Sequence, residues 1–151
     1  MALAAALLYS LSGSWLRLSG ADGRPLATLR IEGGFWLGYI HSINLSPVDE
    51  YFTVDADGLL TLRELRFDQF GTGMPSGDDD GFAVENGRFV TRPGRRFRIV
   101  QAAVSPVPGH RLSTGSGTWL LTRWAPVGGL LSFSAATLAA HDKMNQTVGS
   151  P

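Results

Sequence analysis

His41, Ser42 and Glu50 are the residues whose types and spacing first suggest chemistry. They lie in Phe35 to Tyr51, FWLGYIHSINLSPVDEY, where the densest polar groups of the chain fall inside its clearest strand pattern. In an extended chain successive side chains alternate faces, so Phe35, Leu37, Tyr39, His41 and Ile43 share one face, and Val48, Glu50, Phe52 and Val54 share another. A hairpin closed by Asn44, Leu45, Ser46 and Pro47 sets Ile43 opposite Val48, His41 opposite Glu50, Tyr39 opposite Phe52 and Leu37 opposite Val54. This register pairs apolar with apolar and imidazole with carboxylate. A buried acid without a partner is costly or becomes neutral, so a histidine facing a glutamate on an apolar face reads as a pair.

The next strand, Leu59 to Phe67, adds a second carboxylate or a guanidinium, depending on register. One pairing sets Arg63 opposite Glu50 and balances the charge. The other sets Glu64 there, with Leu60 and Leu62 meeting Val54 and Phe52, and leaves two carboxylates beside His41. A β-bulge near Arg63 reconciles the two, because Leu65 and Phe67 switch the apolar phase. His41, Glu50 and Glu64 together would suit zinc, manganese or iron, although two histidines are the more usual set. A structural pair, or a metal-free pocket in which His41 and Glu50 orient a polar ligand, is the favoured reading, and no cofactor is called for.

Ser42 follows His41 directly. Adjacent strand side chains leave opposite faces, so these two cannot act as nucleophile and base together. His110 or His141 would have to be brought in, and neither has motif context. Tyr39 and Ser42 serve better as hydrogen-bond donors. The segment FDQFGTGMPS places Phe67, Phe70 and Met74 as apolar wall, with Gly71 and Gly73 supplying backbone freedom. It lacks the Gly-Lys-Ser or Gly-Lys-Thr of a phosphate loop, so it reads as a cover framing the pocket. The predicted ligand-binding set is therefore His41, Ser42, Glu50, Glu64, Phe67, Phe70, Gly71 and Gly73.

The elements that must position these residues are strands. The 151-residue length fits one domain, and 19 glycines and 8 prolines between short apolar runs indicate a turn-rich β protein. Thirteen basic and thirteen acidic residues cancel, which gives no reason to expect nucleic acid or an anionic membrane surface as partner. Without cysteine there is no disulfide, thiolate catalysis or thiolate metal site. WLRLS and PLATLRI form a first hairpin across Gly20 to Gly23, and Asp55 to Gly58 turns the chain again. Asn86-Gly87 is a strong type I′ signal between FAVE and RFVTR. RRFRIVQAAVS, TWLLTRW and LLSFSA supply the remaining strands. SGDDDG lacks calcium-loop spacing and reads as a solvated loop. Arg92, Arg95, Arg96 and Arg98 read as an exposed strand face or as the rim for an anionic ligand.

Residues 1–14 are apolar and small, and two readings stand: an export signal or anchor remnant, which is favoured, or a first element covering the core. At about a dozen apolar residues this run is too short to span a bilayer. Residues 139–151 read as a flexible tail.

The run YIHSINLSPVDEYF followed by LRELRFDQFGTGMPS resembles the bacterial family known as domain of unknown function 1850. There an aromatic-x-His-Ser segment, a Pro-Val-x-Glu segment and a Phe-x-x-x-Gly-x-Gly-x-Pro segment recur in this order. The resemblance covers about Trp15 to Ser134 and implies a small secreted or membrane-anchored protein encoded beside TRAP transporters of the TAXI type. Those transporters import small organic anions with a periplasmic binding protein and an ion gradient. The family brings no established activity. The combined expectation is an all-β, single-domain antiparallel sandwich or flattened barrel of about nine strands over residues 15–138. It would be periplasmic, or anchored at the outer face of the inner membrane, as a non-enzymatic accessory or solute-binding protein of the transporter. Its partners would be TRAP subunits or their small organic solute, with membrane contact only through the N-terminal segment. The alternative is a metal-assisted or acid/base enzyme centred on His41, Glu50 and Glu64.

Overall fold

Tight turns at glycine define the hairpins. β1 (Ser14–Ser19) and β2 (Pro25–Ile31) are joined through Gly23, whose φ of 78° is open to a residue without a side chain. β6 (Ala83–Glu85) and β7 (Arg88–Thr91) are joined by Asn86 and Gly87, both at positive φ, which is the type I′ turn expected from the sequence. The computed structural model describes residues 14–70, 82–107 and 109–136. The N-terminal apolar segment before Ser14, the glycine loop with Gly71, Gly73 and Met74, the aspartate run and the tail lie outside the described residues.

Two antiparallel sheets face each other, as the sandwich expectation requires. The smaller has the order β2-β1-β12-β9, with β9 at Val100–Ala103 and β12 at Leu130–Ala136. The larger runs β11-β10-β3-β4-β5-β7-β6, with β8 also paired to β5. Here β3 is Phe35–Ile40, β4 Pro47–Val54, β5 Leu60–Phe67, β8 Arg95–Phe97, β10 Arg111–Thr114 and β11 Gly117–Leu120. Twelve strands are described, rather than nine. The RRFRIVQAAVS run is split: β8 pairs with β5 in the large sheet, and after Arg98 and Ile99 the chain crosses to the small sheet as β9. RLST, not among the expected strands, is one because Leu112 is needed opposite Leu37 in the core. TWLLTRW stops as a strand at Leu120 and closes in a single 3₁₀ turn over Leu121–Arg123, which drops Leu121 into full burial.

The main core is made by the inner faces of the two sheets. Leu16, Leu18, Leu131 and Phe133 of the small sheet meet Phe35, Leu37, Phe52, Leu60, Leu62 and Leu112 of the large one. Phe35 is its centre, stacked on Phe52 at 5.3 Å and on Phe133 at 6.3 Å between ring centroids. A second cluster, Val48, Leu65 and Phe67 with Tyr39 and Phe89, lies further along the same face of the large sheet. The two are kept on one face by a bulge. β4 and β5 pair as Val54–Leu60 and Phe52–Leu62, then shift so that Tyr51 meets Glu64, Glu50 meets Leu65 and Val48 meets Phe67. Arg63 is the extra residue, and its guanidinium turns outward to Asp55 and Thr53.

Gly34 marks the entry to β3. A Cβ there would lie 2.7 Å from the Tyr51 hydroxyl oxygen and 2.8 Å from its Cζ, with the Phe52 carbonyl oxygen closer still. Gly34→Ala must therefore displace the β3–β4 pair, and should destabilise the protein by about 2 kcal/mol or more. Gly58→Ala has open space around it and only its φ of +79° to strain it, so it should cost about 1 kcal/mol. Urea unfolding of the two variants checks the difference.

Candidate functional site

The β3–β4 ladder decides which polar groups meet. Phe35 pairs with Phe52, Leu37 with Glu50, Tyr39 with Val48 and Ile40 with Pro47. This corrects the expected register by four residues. Because the shift is even, every side chain keeps its face, but the connecting loop grows to six residues and His41 passes from the strand into it. The reason is the core: the expected register would carry Phe35 beyond the end of β4, whereas the observed one stacks it on Phe52. His41 does not face Glu50. Its N–H donates to the Ser46 carbonyl and its carbonyl accepts from the Leu45 N–H, each at 2.9 Å, and its Nδ1 accepts the Ile43 N–H at 3.3 Å. The side chain thus orders the turn. Ser42 next to it is exposed.

Glu50 keeps its place on the inner face. Leu37 and Leu65 stand across from it, and Val48 and Phe52 flank it along β4, so a carboxyl falls between the two apolar clusters. Its direct surroundings contain no cation among the described residues that answers its charge, and burial pushes it up to about 7. Tyr39, one cross-strand diagonal away, is pushed up to about 12, first by its own burial and then by the Glu50 charge. The site therefore offers a phenol and a carboxyl group that holds its proton well above the usual carboxylate range.

His110, not His41, is the histidine that shares a cavity with Glu50. It is 9% exposed, lies with its ring centroid 5.7 Å from that of Tyr39, and lines the same cavity as Glu50. Its Nδ1 accepts the Ser105 N–H at 3.2 Å, and the ring also hydrogen-bonds the Ala103 backbone. Burial, with help from the Arg111 charge, holds it below the usual imidazole range against the opposing pull of that Ala103 bond. Sequence reasoning passed over His110 because it follows a Pro/Gly-rich loop. The apolar-polar alternation of Arg111 to Thr114 just after it was the available signal.

A groove runs between β9 and the large sheet with Glu50 on its floor. On one side is a cavity of about 290 Å³ lined by Leu37, Tyr39, Glu50, Ser105, His110 and the residues of β9. On the other is one of about 420 Å³ lined by Glu50, Phe52, Leu62, Phe97, Ile99 and again β9, with Arg95 at its wall. Glu50, Val100 and Gln101 belong to both.

The other predicted residues are dispersed. Glu64 is on the outer face of the large sheet, opposite Tyr51, where it pairs with Arg66 and with Arg92. Neither Arg63 nor Glu64 stands opposite Glu50, because the bulge delivers Leu65 there. Phe67 is fully buried against Val48, and Phe70 is half exposed in a ring cluster with Phe67, Phe82 and Phe89. Among the described residues no three His, Asp or Glu side chains converge as a metal centre would require. The Arg cluster is divided: Arg92 pairs with Glu85 and Glu64, and Arg96 with Asp55 and Asp57.

The raised Glu50 has a sign that can be checked. From about pH 4.5, where an unfolded glutamate ionises, up to about 7, the folded chain holds a proton that the unfolded chain has lost. Stability due to Glu50 is complete below this window and is lost as pH rises through it, by about 3 kcal/mol at most. Glu50→Gln does not titrate. Relative to wild type, it should be neutral within about 0.5 kcal/mol near pH 4 and more stable by about 2 to 3 kcal/mol at pH 8, as read from urea unfolding at both pH values.

The family described as a domain of unknown function (DUF1850) matches residues 35–121, from the start of β3 to the first residue of the 3₁₀ turn after β11, which is more than half of the chain. No curated protein and no solved structure matches it. The matched span contains Tyr39, Glu50, β9 and His110, so every group that builds the groove falls inside it. The chain belongs to the DUF1850 family.

Proposed function

We propose that this protein is an exported, non-enzymatic binding accessory of a TRAP-type transporter of the TAXI class, and that it engages its ligand in the groove over Glu50. The reading rests on one observation above others: a carboxyl group set among Leu37, Leu65, Val48 and Phe52 opens onto two cavities instead of being sealed in packing. A side chain kept there at a cost to stability is explained by a ligand that supplies the missing partner. Tyr39 adds a second hydrogen-bonding group, and Leu37, Phe52, Leu62 and Phe97 give apolar walls. Binding is favoured over catalysis by the layout of polar groups. His110 is committed to the backbone, His41 lies in the β3–β4 turn and Glu64 on the outer face, so among the described residues no base and nucleophile, or set of ligands, converges with Glu50 on one reacting atom.

The transporter context and a periplasmic or membrane-anchored location follow from family resemblance.

The test is titration of the purified chain with the organic solutes of TAXI transporters and, separately, with detergent-solubilised TRAP membrane subunits, followed by calorimetry. Wild type should bind at least one of the two, and Glu50→Gln should weaken that binding about tenfold. His41→Ala and Glu64→Gln, on the turn and the outer face, should leave it within about twofold. Absence of binding to both, or a Glu50→Gln variant that binds like wild type, overturns the reading.

A further inference from the structure

The small sheet ends at β9, and the large sheet extends beyond it. The last strand has one side unpaired among the described residues. Val104 shows which side: it both donates to Gly129 and accepts from Gly128, so its backbone groups point towards the β12 side. In an antiparallel ladder this direction alternates, so Ala102 and Val100 also point towards β12, and Gln101 and Ala103 point away from it. His110 serves Ala103 and the next N–H, that of Ser105. The N–H and carbonyl of Gln101 are left facing the groove. Its side chain is on the outer surface, bonded to Ser132 Oγ at 3.2 Å. At the opposite edge of this sheet β2 opens with Pro25 and carries Arg30, two devices that discourage further pairing; β9, Val-Gln-Ala-Ala, has neither.

We propose that the groove accepts an extended peptide segment of a partner protein, which pairs with Gln101 and becomes the fifth strand of the small sheet. The geometry of strand addition fits the two cavities. A residue directly opposite Gln101 would exchange two backbone hydrogen bonds with it and point its side chain outward, as Gln101 does. Its two neighbours would then point inward, about 7 Å apart, one on each side of Glu50. One enters the cavity of Tyr39, Ser105 and His110, and the other enters that of Phe52, Leu62, Phe97 and Ile99. Their chemistry follows from the linings. The first carries a hydrogen-bond donor or cation that reaches Glu50, and the second is apolar. Ile99, 51% exposed at the mouth of the second cavity, is the apolar surface that the added strand would cover. His110 ends the open edge by holding the Ala103 and Ser105 backbone, which limits pairing to a short segment centred on Gln101.

This inference rests on the groove being the working site, and it names the occupant. The probe is the capped pentapeptide Thr-Lys-Thr-Val-Thr, whose antiparallel pairing brings the lysine opposite Ala102, at the first cavity, and the valine opposite Val100, at the second. Binding to the full chain is followed by amide NMR. The peptide should shift the Gln101 amide, slow its exchange and bind with a measurable Kd. N-methylation of the central threonine, which removes the bond to Gln101 and leaves the protein untouched, should weaken binding about tenfold or more. Replacement of its lysine by norleucine should do the same in wild type, and should have little effect in Glu50→Gln. Gln101→Pro removes an N–H that the ladder does not use, and should abolish binding while the chain stays folded.

Equal binding by the N-methylated peptide overturns the proposal, as does absence of binding at millimolar peptide. If small solutes still bind in a Glu50-dependent way, strand addition fails and the groove stands as a solute site. If neither binds, both readings fail. A concentration-dependent dimer that protects the Gln101 amide assigns the edge to a second copy and likewise overturns a foreign peptide.

Discussion

Phe35 stacked on Phe52 fixes the register of β3 against β4, and most of the large sheet follows from that contact. With these two rings paired, Leu37 must meet Glu50 and Tyr39 must meet Val48. His41 can no longer be part of the ladder and becomes the first residue of a six-residue turn. Aromatic burial outweighs the imidazole–carboxylate pair because the pair would bring two polar groups into the interior for a modest net gain. The same contact places Gly34 against Tyr51 and Phe52, where no side chain fits.

The bulge at Arg63 is the second constraint. It lets one strand present Leu60 and Leu62 to the main core and Leu65 and Phe67 to the second cluster, without burying Arg63 or Glu64. The outer face collects the charge instead. Asp49 binds Arg88 and Arg111, Glu64 binds Arg66 and Arg92, and the Arg66 guanidinium lies 5.0 Å from the centre of the Trp36 ring. These pairs are partly exposed and contribute little each. Their larger effect is to keep carboxylates and guanidiniums off the inner face, which leaves Glu50 as the charge-bearing group between the two clusters.

Glu50 gains its meaning from an unequal pairing of sheets. Where β1 and β12 cover β3 and β10, the interior is closed and hydrocarbon. Beside β9, where the small sheet ends, Glu50 borders two cavities between the buried clusters, and its carboxyl exists there without full burial. His110 borders this opening: its ring fills one end and satisfies backbone groups that a further strand would otherwise use.

Short apolar runs in WLRLS and PLATLRI were enough to identify β1 and β2 as strands, and alternation in PVDEYFTV also assigned the inner face of β4, because a period of two survives any change of partner. Asn86-Gly87 marked its turn, and the phase switch from Leu62 to Leu65 marked the bulge, for equally local reasons. Glu50 as an acid on an apolar face was legible in the same way. Which residues came to stand beside it was not, since a four-residue slip of β3 against β4 preserves every face and changes every neighbour. Only the packed sandwich chose between those registers, by stacking Phe35 on Phe52. It also split Arg95 to Ser105 between two sheets and carried His110 across more than fifty residues of sequence to the side of Tyr39. Such contacts are made between strands remote in the chain, and the pattern within a single strand does not encode them.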